Sequence, residues 1–125
     1  MRNVALLSLV VLAFVACKHP GSPKLEGRWR GTKADGVSGD AQNGANIFAM
    51  GTELVARGNQ IAITTPAGKP QQGTYFVDSE EKNTVVIHTD KDGPQRETFT
   101  FSDDGKTMTW RLDERRSITF QRIAQ

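Results

Sequence analysis

The sequence predicts an all-β domain: a small up-and-down antiparallel β-barrel of about eight strands, set behind an N-terminal signal segment. Three observations lead there. Short runs bearing Thr, Val, Ile and aromatic residues alternate in polarity from Leu25 onwards, as half-buried strands do. Turn-forming residues separate the runs. Finally, no apolar stripe at a period of 3.6 residues appears beyond the N-terminal segment. A parallel sheet needs crossover connections of about a dozen residues or more. Here only Lys33–Asn46 is that long, and it is rich in Gly, Asp and Asn, with Gly39–Asn46 able to hold a short helical turn. A meander that closes on itself also removes its edge strands.

The first 16 residues read as an address. Arg2 is followed by Val4–Ala16, an apolar run interrupted only by Ser8. Crossing a bilayer takes ~20 apolar residues, whereas a basic start and a run of about 7–15 apolar residues is the layout of a secretory signal. The run ends in Phe14-Val15-Ala16-Cys17. This resembles the bacterial lipobox, although Phe14 stands where Leu is usual. The resemblance implies that Cys17 receives a diacylglyceryl group and becomes the mature N-terminus. Residues 17–24 then form a lipidated, Pro- and Gly-containing tether, and residues 25–125 form the barrel domain. Lys18 follows the cysteine, where enteric lipoproteins retained in the inner membrane carry Asp. The expected location is therefore the bacterial cell envelope, at the outer membrane and facing the periplasm.

The strands follow in order. Leu25–Thr32 sets Leu25, Gly27, Trp29 and Gly31 on one face. Ile47–Ala56 is expected to be a strand that groups Phe48, Met50 and Leu54. Gln60–Thr65 aligns Ile61 with Ile63, and Gly73–Asp78 offers either Tyr75 and Val77 or Phe76 as its inward face. Thr84–Thr89, Glu97–Phe101, Met108–Leu112 and Ile118–Arg122 complete the meander. Arg57-Gly58-Asn59, Asp92-Gly93-Pro94 and Asp103-Asp104-Gly105 supply the residues that tight hairpins require.

Composition limits the chemistry. With 16 Lys and Arg against 14 Asp and Glu the net charge is +2, and cleavage before Cys17 removes one basic residue and no acid. No clustered basic excess marks a nucleic-acid footprint. A single Cys and two His leave little material for a disulfide framework, a metal centre or a His-based catalytic set. No metal, no cofactor and no enzymatic activity are expected. His88 lies mid-strand with no evident base partner, and the paired acids Glu80/Glu81 and Asp103/Asp104 sit in turns where they are solvated.

Gly27-Arg28-Trp29 in the first strand, the long loop after it, the eight-strand meander and Arg122 near the close of the last strand together resemble the lipocalin/calycin superfamily in its short bacterial form. The stretch from about Leu25 to Ile123 carries this resemblance, without the family's C-terminal helix or its disulfides. It implies that Arg122 closes the barrel by lying across Trp29, and that a small apolar ligand or lipid binds at the end covered by Lys33–Asn46. The candidate ligand-binding residues are Trp29, Met50, Tyr75, Phe99, Phe101 and Trp110. An eight-stranded barrel has room for its own side chains or for one small ligand. The number of large inward residues favours the filled core. The alternative function is accordingly a solid barrel that meets an envelope protein, as an interaction or inhibitor module.

Overall fold

The structure, a computed structural model, describes residues 21–91, 93 and 95–124. The signal segment, Cys17 and the first part of the tether lie outside the described residues. The elements are β1 (Gly27–Asp35), a 3-10 turn (Gly39–Ala41), α1 (Gln42–Met50), β2 (Glu53–Arg57), β3 (Gln60–Thr64), β4 (Gln71–Glu80), β5 (Thr84–Thr89), β6 (Glu97–Phe101), β7 (Thr107–Arg111) and β8 (Ser117–Ala124). Each strand pairs antiparallel with the next, and β8 returns to β1, so the sheet is a closed up-and-down barrel.

Alternation produces the core. Gly27, Trp29 and Gly31 of β1 point inward while Arg28, Arg30 and Thr32 do not. A register shift against β8 between Gly31 and Lys33 then moves the inward position to Ala34. One extra residue flips the face of everything after it. Trp29, Tyr75, Phe99, Phe120, Leu54, Ile87, Met108 and Val85 are fully buried, and together they fill the barrel. Phe101 meets Trp29 edge-on at 5.7 Å, and Trp110 stacks on Phe99 at 6.1 Å. Each such apolar side chain contributes about 1.5–3 kcal/mol on burial, with an increment from the ring geometry. On β4 it is Tyr75 that faces inward, while Phe76 is turned to the outside.

The expected strand Ile47–Ala56 is corrected. Its first part is the end of α1, and only Glu53–Arg57 is strand. The inward face of α1 is carried by Ala45 and Ala49, a helical spacing of four made of small residues. The spacing of two between Phe48 and Met50, with Leu54 in phase, reads as a strand. The helix needs small residues because it lies directly on β1. A Cβ on Gly31 would stand 2.0 Å from the Ala49 carbonyl oxygen, so only glycine permits the approach. The Gly51 amide ends the helix by donating to the Ile47 and Phe48 carbonyls. Leu112, expected at the end of a strand, lies in the β7–β8 loop and is exposed.

The two ends of the barrel are closed differently. At the base, where β2 turns into β3, the segment Gly21–Glu26 packs under the strands. Its Ser22 and Leu25 are buried, and the Ser22 amide donates to the Tyr75 hydroxyl at 2.8 Å. At the other end, α1 lies beside the part of β1 that extends beyond its pairing with β2.

Candidate functional site

Arg28 to Arg30 of β1 pair with both β2 and β8, which brings Trp29 opposite Leu54 on one side and Arg122 on the other. The indole is fully buried and donates from Nε1 to the Leu25 carbonyl at 3.0 Å. The Arg122 guanidinium lies over the Trp29 ring, 4.2 Å from its centre. Its Nη1 donates to the Glu26 carbonyl, its Nη2 to the Lys24 carbonyl at 3.1 Å and its Nε to the Gly105 carbonyl at 3.1 Å. One side chain thereby ties the chain entering β1 to β8 and to the β6–β7 turn. Burial lowers the Arg122 pKa from its ordinary value. This is a structural latch at the base.

The opposite end carries a cleft. Beyond Arg30 the outer edge of β1 has no β2 partner, and α1 supplies one through side chains. Asn46 Oδ1 accepts from the Ala34 amide at 2.9 Å, and Gln42 Nε2 donates to the Ala34 carbonyl at 2.7 Å. Two amide side chains thus do the work of a neighbouring strand, which an otherwise open edge requires. Between α1, the end of β1 and the start of β8 lies a cleft of about 500 Å³. Ala34, Val37, Ala41, Gly44, Ala45, Phe48, Leu112 and Ile118 form its apolar walls, with Asp35, Asp40, Arg116 and Ser117 at its margins. Small-molecule sites commonly measure ~300–1,000 Å³ and are mostly apolar.

A second, polar cleft adjoins it. Gly36, Val37, Ser38, Asp113, Arg115 and Arg116 enclose about 310 Å³, so Val37 and Arg116 border both. The β7–β8 loop is held by Asp113, whose Oδ1 accepts the Arg115 and Arg116 amides at 2.9 and 2.7 Å while Oδ2 accepts Arg116 Nε at 2.7 Å. Those donors, the two backbone amides foremost, pull the Asp113 carboxyl down to about 2.

The candidate ligand-binding residues are scattered relative to this cleft. Trp29, Tyr75, Phe99 and Phe101 are buried as barrel filling, and Trp110 is half-buried with its Nε1 donating to Glu97 at 2.9 Å. Burial raises the Tyr75 pKa, partly offset by the Ser22 amide. Met50 stands outside the barrel at the end of α1, 51% exposed. None of the six lines the cleft. The loop expected to cover the site does line it, from Ala34 to Ala45, and the small residues there are the signal that large-residue patterns pass over.

The outer wall holds one further cluster. A register shift between Val77 and Ser79 displaces Asp78, which pairs with His88 Nδ1 at 2.8 Å and with Arg96 Nε. The partner of His88 absent from the linear pattern is therefore Asp78, brought across the β4–β5 ladder. Phe76 stacks on the imidazole at 5.0 Å. Among the described residues no group of three His, Cys, Asp or Glu side chains is placed to hold a metal ion, and no helix is long and apolar enough to cross a membrane. No family model matches this chain, and no curated protein is similar to it.

Proposed function

We propose that this chain is a lipid-anchored binding protein of the bacterial cell envelope: lipocalin-like in fold, lipidated at Cys17, and holding a small apolar ligand in the cleft beside α1. The observation that carries this reading is an apolar cleft of about 500 Å³ set against a barrel whose interior is already occupied by Trp29, Tyr75, Phe99 and Phe120. The ligand site is then at the barrel end and not within it. The function is binding without catalysis, with no cofactor and no nucleic acid. The anchor is at the outer membrane, with the domain on the periplasmic side.

The placement of the base supports the anchored arrangement. Gly21 packs against the Gly58 carbonyl in the β2–β3 turn. Cys17 lies four residues earlier, and a chain spans at most ~3.6 Å per residue. An anchor at Cys17 would therefore hold the base of the barrel near the membrane and present the cleft away from it.

Lipids co-purifying with the full-length protein from native membranes test the reading by mass spectrometry. Gly44 lines the cleft and has open space where a side chain would stand. Gly44→Leu should fill the cleft and remove the bound apolar species. An unchanged lipid complement in that variant would refute the cleft as the site.

A second reading, the interaction module, is favoured by one observation. Ile47 is 65% exposed and stands with Met50 on α1 away from the cleft lining. Exposed apolar groups gathered in one place mark partner surfaces. Under this reading, a protein cross-linked in the envelope is lost in an Ile47→Lys, Met50→Lys variant and retained in Gly44→Leu.

A further inference from the structure

Resting on the cleft as the ligand site, we propose that its ligand is a single-chain amphiphile with a monoanionic head, the chain lying along α1 and the head meeting Arg115. The two adjoining clefts have opposite character. One is walled by Ala34, Ala45, Phe48 and Leu112, and the other by Asp113, Arg115, Arg116 and residues 36–38. Val37 and Arg116 border both, so a molecule that fills the first reaches the second without leaving the surface. An apolar ligand without a head would leave the second cleft to water.

The charge of the second cleft decides the head. Asp113 uses both carboxylate oxygens on the Arg115 and Arg116 amides and the Arg116 guanidinium. Arg116 is thereby neutralised, while the Arg115 guanidinium has no ion-pair partner among the described residues. Among the described residues lining this cleft, one unpaired cation remains. It suits one negative charge, such as a carboxylate or a phosphodiester, since guanidinium groups recognise both with directed hydrogen bonds. A phosphate monoester carries about −1.5 to −2 at neutral pH and would exceed it. Two acids border the apolar cleft, Asp35 and Asp40, and neither lines the polar one; Asp35 is paired with Lys33 at 3.7 Å. The loops that carry the head site are held together. Gly36 backs onto Arg115 so closely that a Cβ there would stand 1.8 Å from its carbonyl oxygen.

The test titrates the full-length protein and its Arg115→Ala variant with three probes: dodecanoate, a dodecanoyl lysophosphatidylglycerol and dodecan-1-ol. Trp110, the register partner of the cleft-lining Ile118, reports by fluorescence. Each probe is compared only with itself between the two proteins, so partitioning into the anchor's surroundings cancels. Arg115 sits in an exposed loop, so its removal should leave the fold intact. The expected result is that one or both anionic probes weaken by roughly threefold to tenfold in Arg115→Ala, as for an accessible ion pair, while dodecan-1-ol is unaffected. Loss of dodecanoate alone identifies a free fatty acid, and loss of the lysophospholipid alone identifies a membrane-derived one. Anionic and neutral probes that bind both proteins equally would overturn the head site and leave the apolar cleft standing. Failure of all three to bind the unaltered protein would overturn the cleft itself.

Discussion

Arg122 spans the joint between the first and last strands of the barrel, its guanidinium 4.2 Å from the centre of the Trp29 ring. A cation over a desolvated indole gains up to about 2 kcal/mol. Arg122 also donates to the carbonyls of Lys24, Glu26 and Gly105, none of which is a strand-ladder partner for it. Replacing Arg122 by Ala should lower stability by about 2–4 kcal/mol, since charged hydrogen bonds contribute about 1.5–3 kcal/mol each but not additively. Arg115→Ala and Arg116→Ala should each cost about 1 kcal/mol or less, as exposed loop positions do. Equal midpoints in urea for all three variants would contradict the latch.

Gly44 is helical, and nothing lies within 4 Å of the position its Cβ would take. Alanine there should stabilise the protein by about 1 kcal/mol through helix propensity alone. A higher thermal midpoint for Gly44→Ala is the expected result. A lower one would mean that the helix is packed more tightly on that face than the cleft requires.

Gly31 is the opposite case. Its hypothetical Cβ falls 2.0 Å from the Ala49 oxygen, so backbone must move. Gly31→Ala should push α1 away from β1, losing the Asn46 and Gln42 bonds to Ala34 as well. A loss of several kcal/mol is expected, about the size of an overpacked core position or more. Hydrogen exchange should show the Ala34 amide exposed before the barrel strands open.

Asp113 sets an acid limit for the β7–β8 loop. Its carboxyl is held down to about 2 by the Arg116 and Arg115 amides and the Arg116 side chain. A carboxyl depressed in the folded state stabilises it above the unfolded value of ~3.9 and loses that contribution as the pH falls through the folded value. The loop should therefore stay closed at pH 3 and loosen toward pH 2. A carboxyl-carbon titration of Asp113 by NMR with a midpoint near 3.9 would refute this.

Cys17 carries the anchor in the proposed function. Cys17→Ser should leave an uncleaved precursor and empty the mature form from the membrane fraction, because only a thiol accepts the diacylglyceryl group. Normal processing and membrane recovery of that variant would exclude lipidation.

Much of the barrel was legible in the chain because strand alternation is local. Leu25 to Gly31, Val85 and Ile87, and Phe99 and Phe101 announce their faces within a few residues, and the hairpin turns announce where each run stops. The contact of Trp29 with Arg122 was also within reach. A closed meander makes its first and last strands neighbours, and alternation puts both side chains inside.

What escaped the linear reading depends on distant partners. The register shift after Gly31 turns Ala34 inward, and nothing in the residues around it marks the shift; it arises where β1 leaves β2 and runs on with β8 alone. The same holds for Asp78, which a displaced register carries to His88. The helix α1 hides because its packed face is Ala45 and Ala49, too small to register as an apolar stripe, and because that smallness is needed only once Gly31 lies beneath it. The cleft follows from both. Its walls come from two loops, a helix, the end of β1 and the start of β8, and no one of these segments, read alone, shows that a space is left between them. Composition and alternation determined that a small closed barrel forms and that its large apolar residues fill it. Only the tertiary structure decided that the space left for a ligand lies outside that filling, because a cleft is the difference between surfaces that meet only after folding.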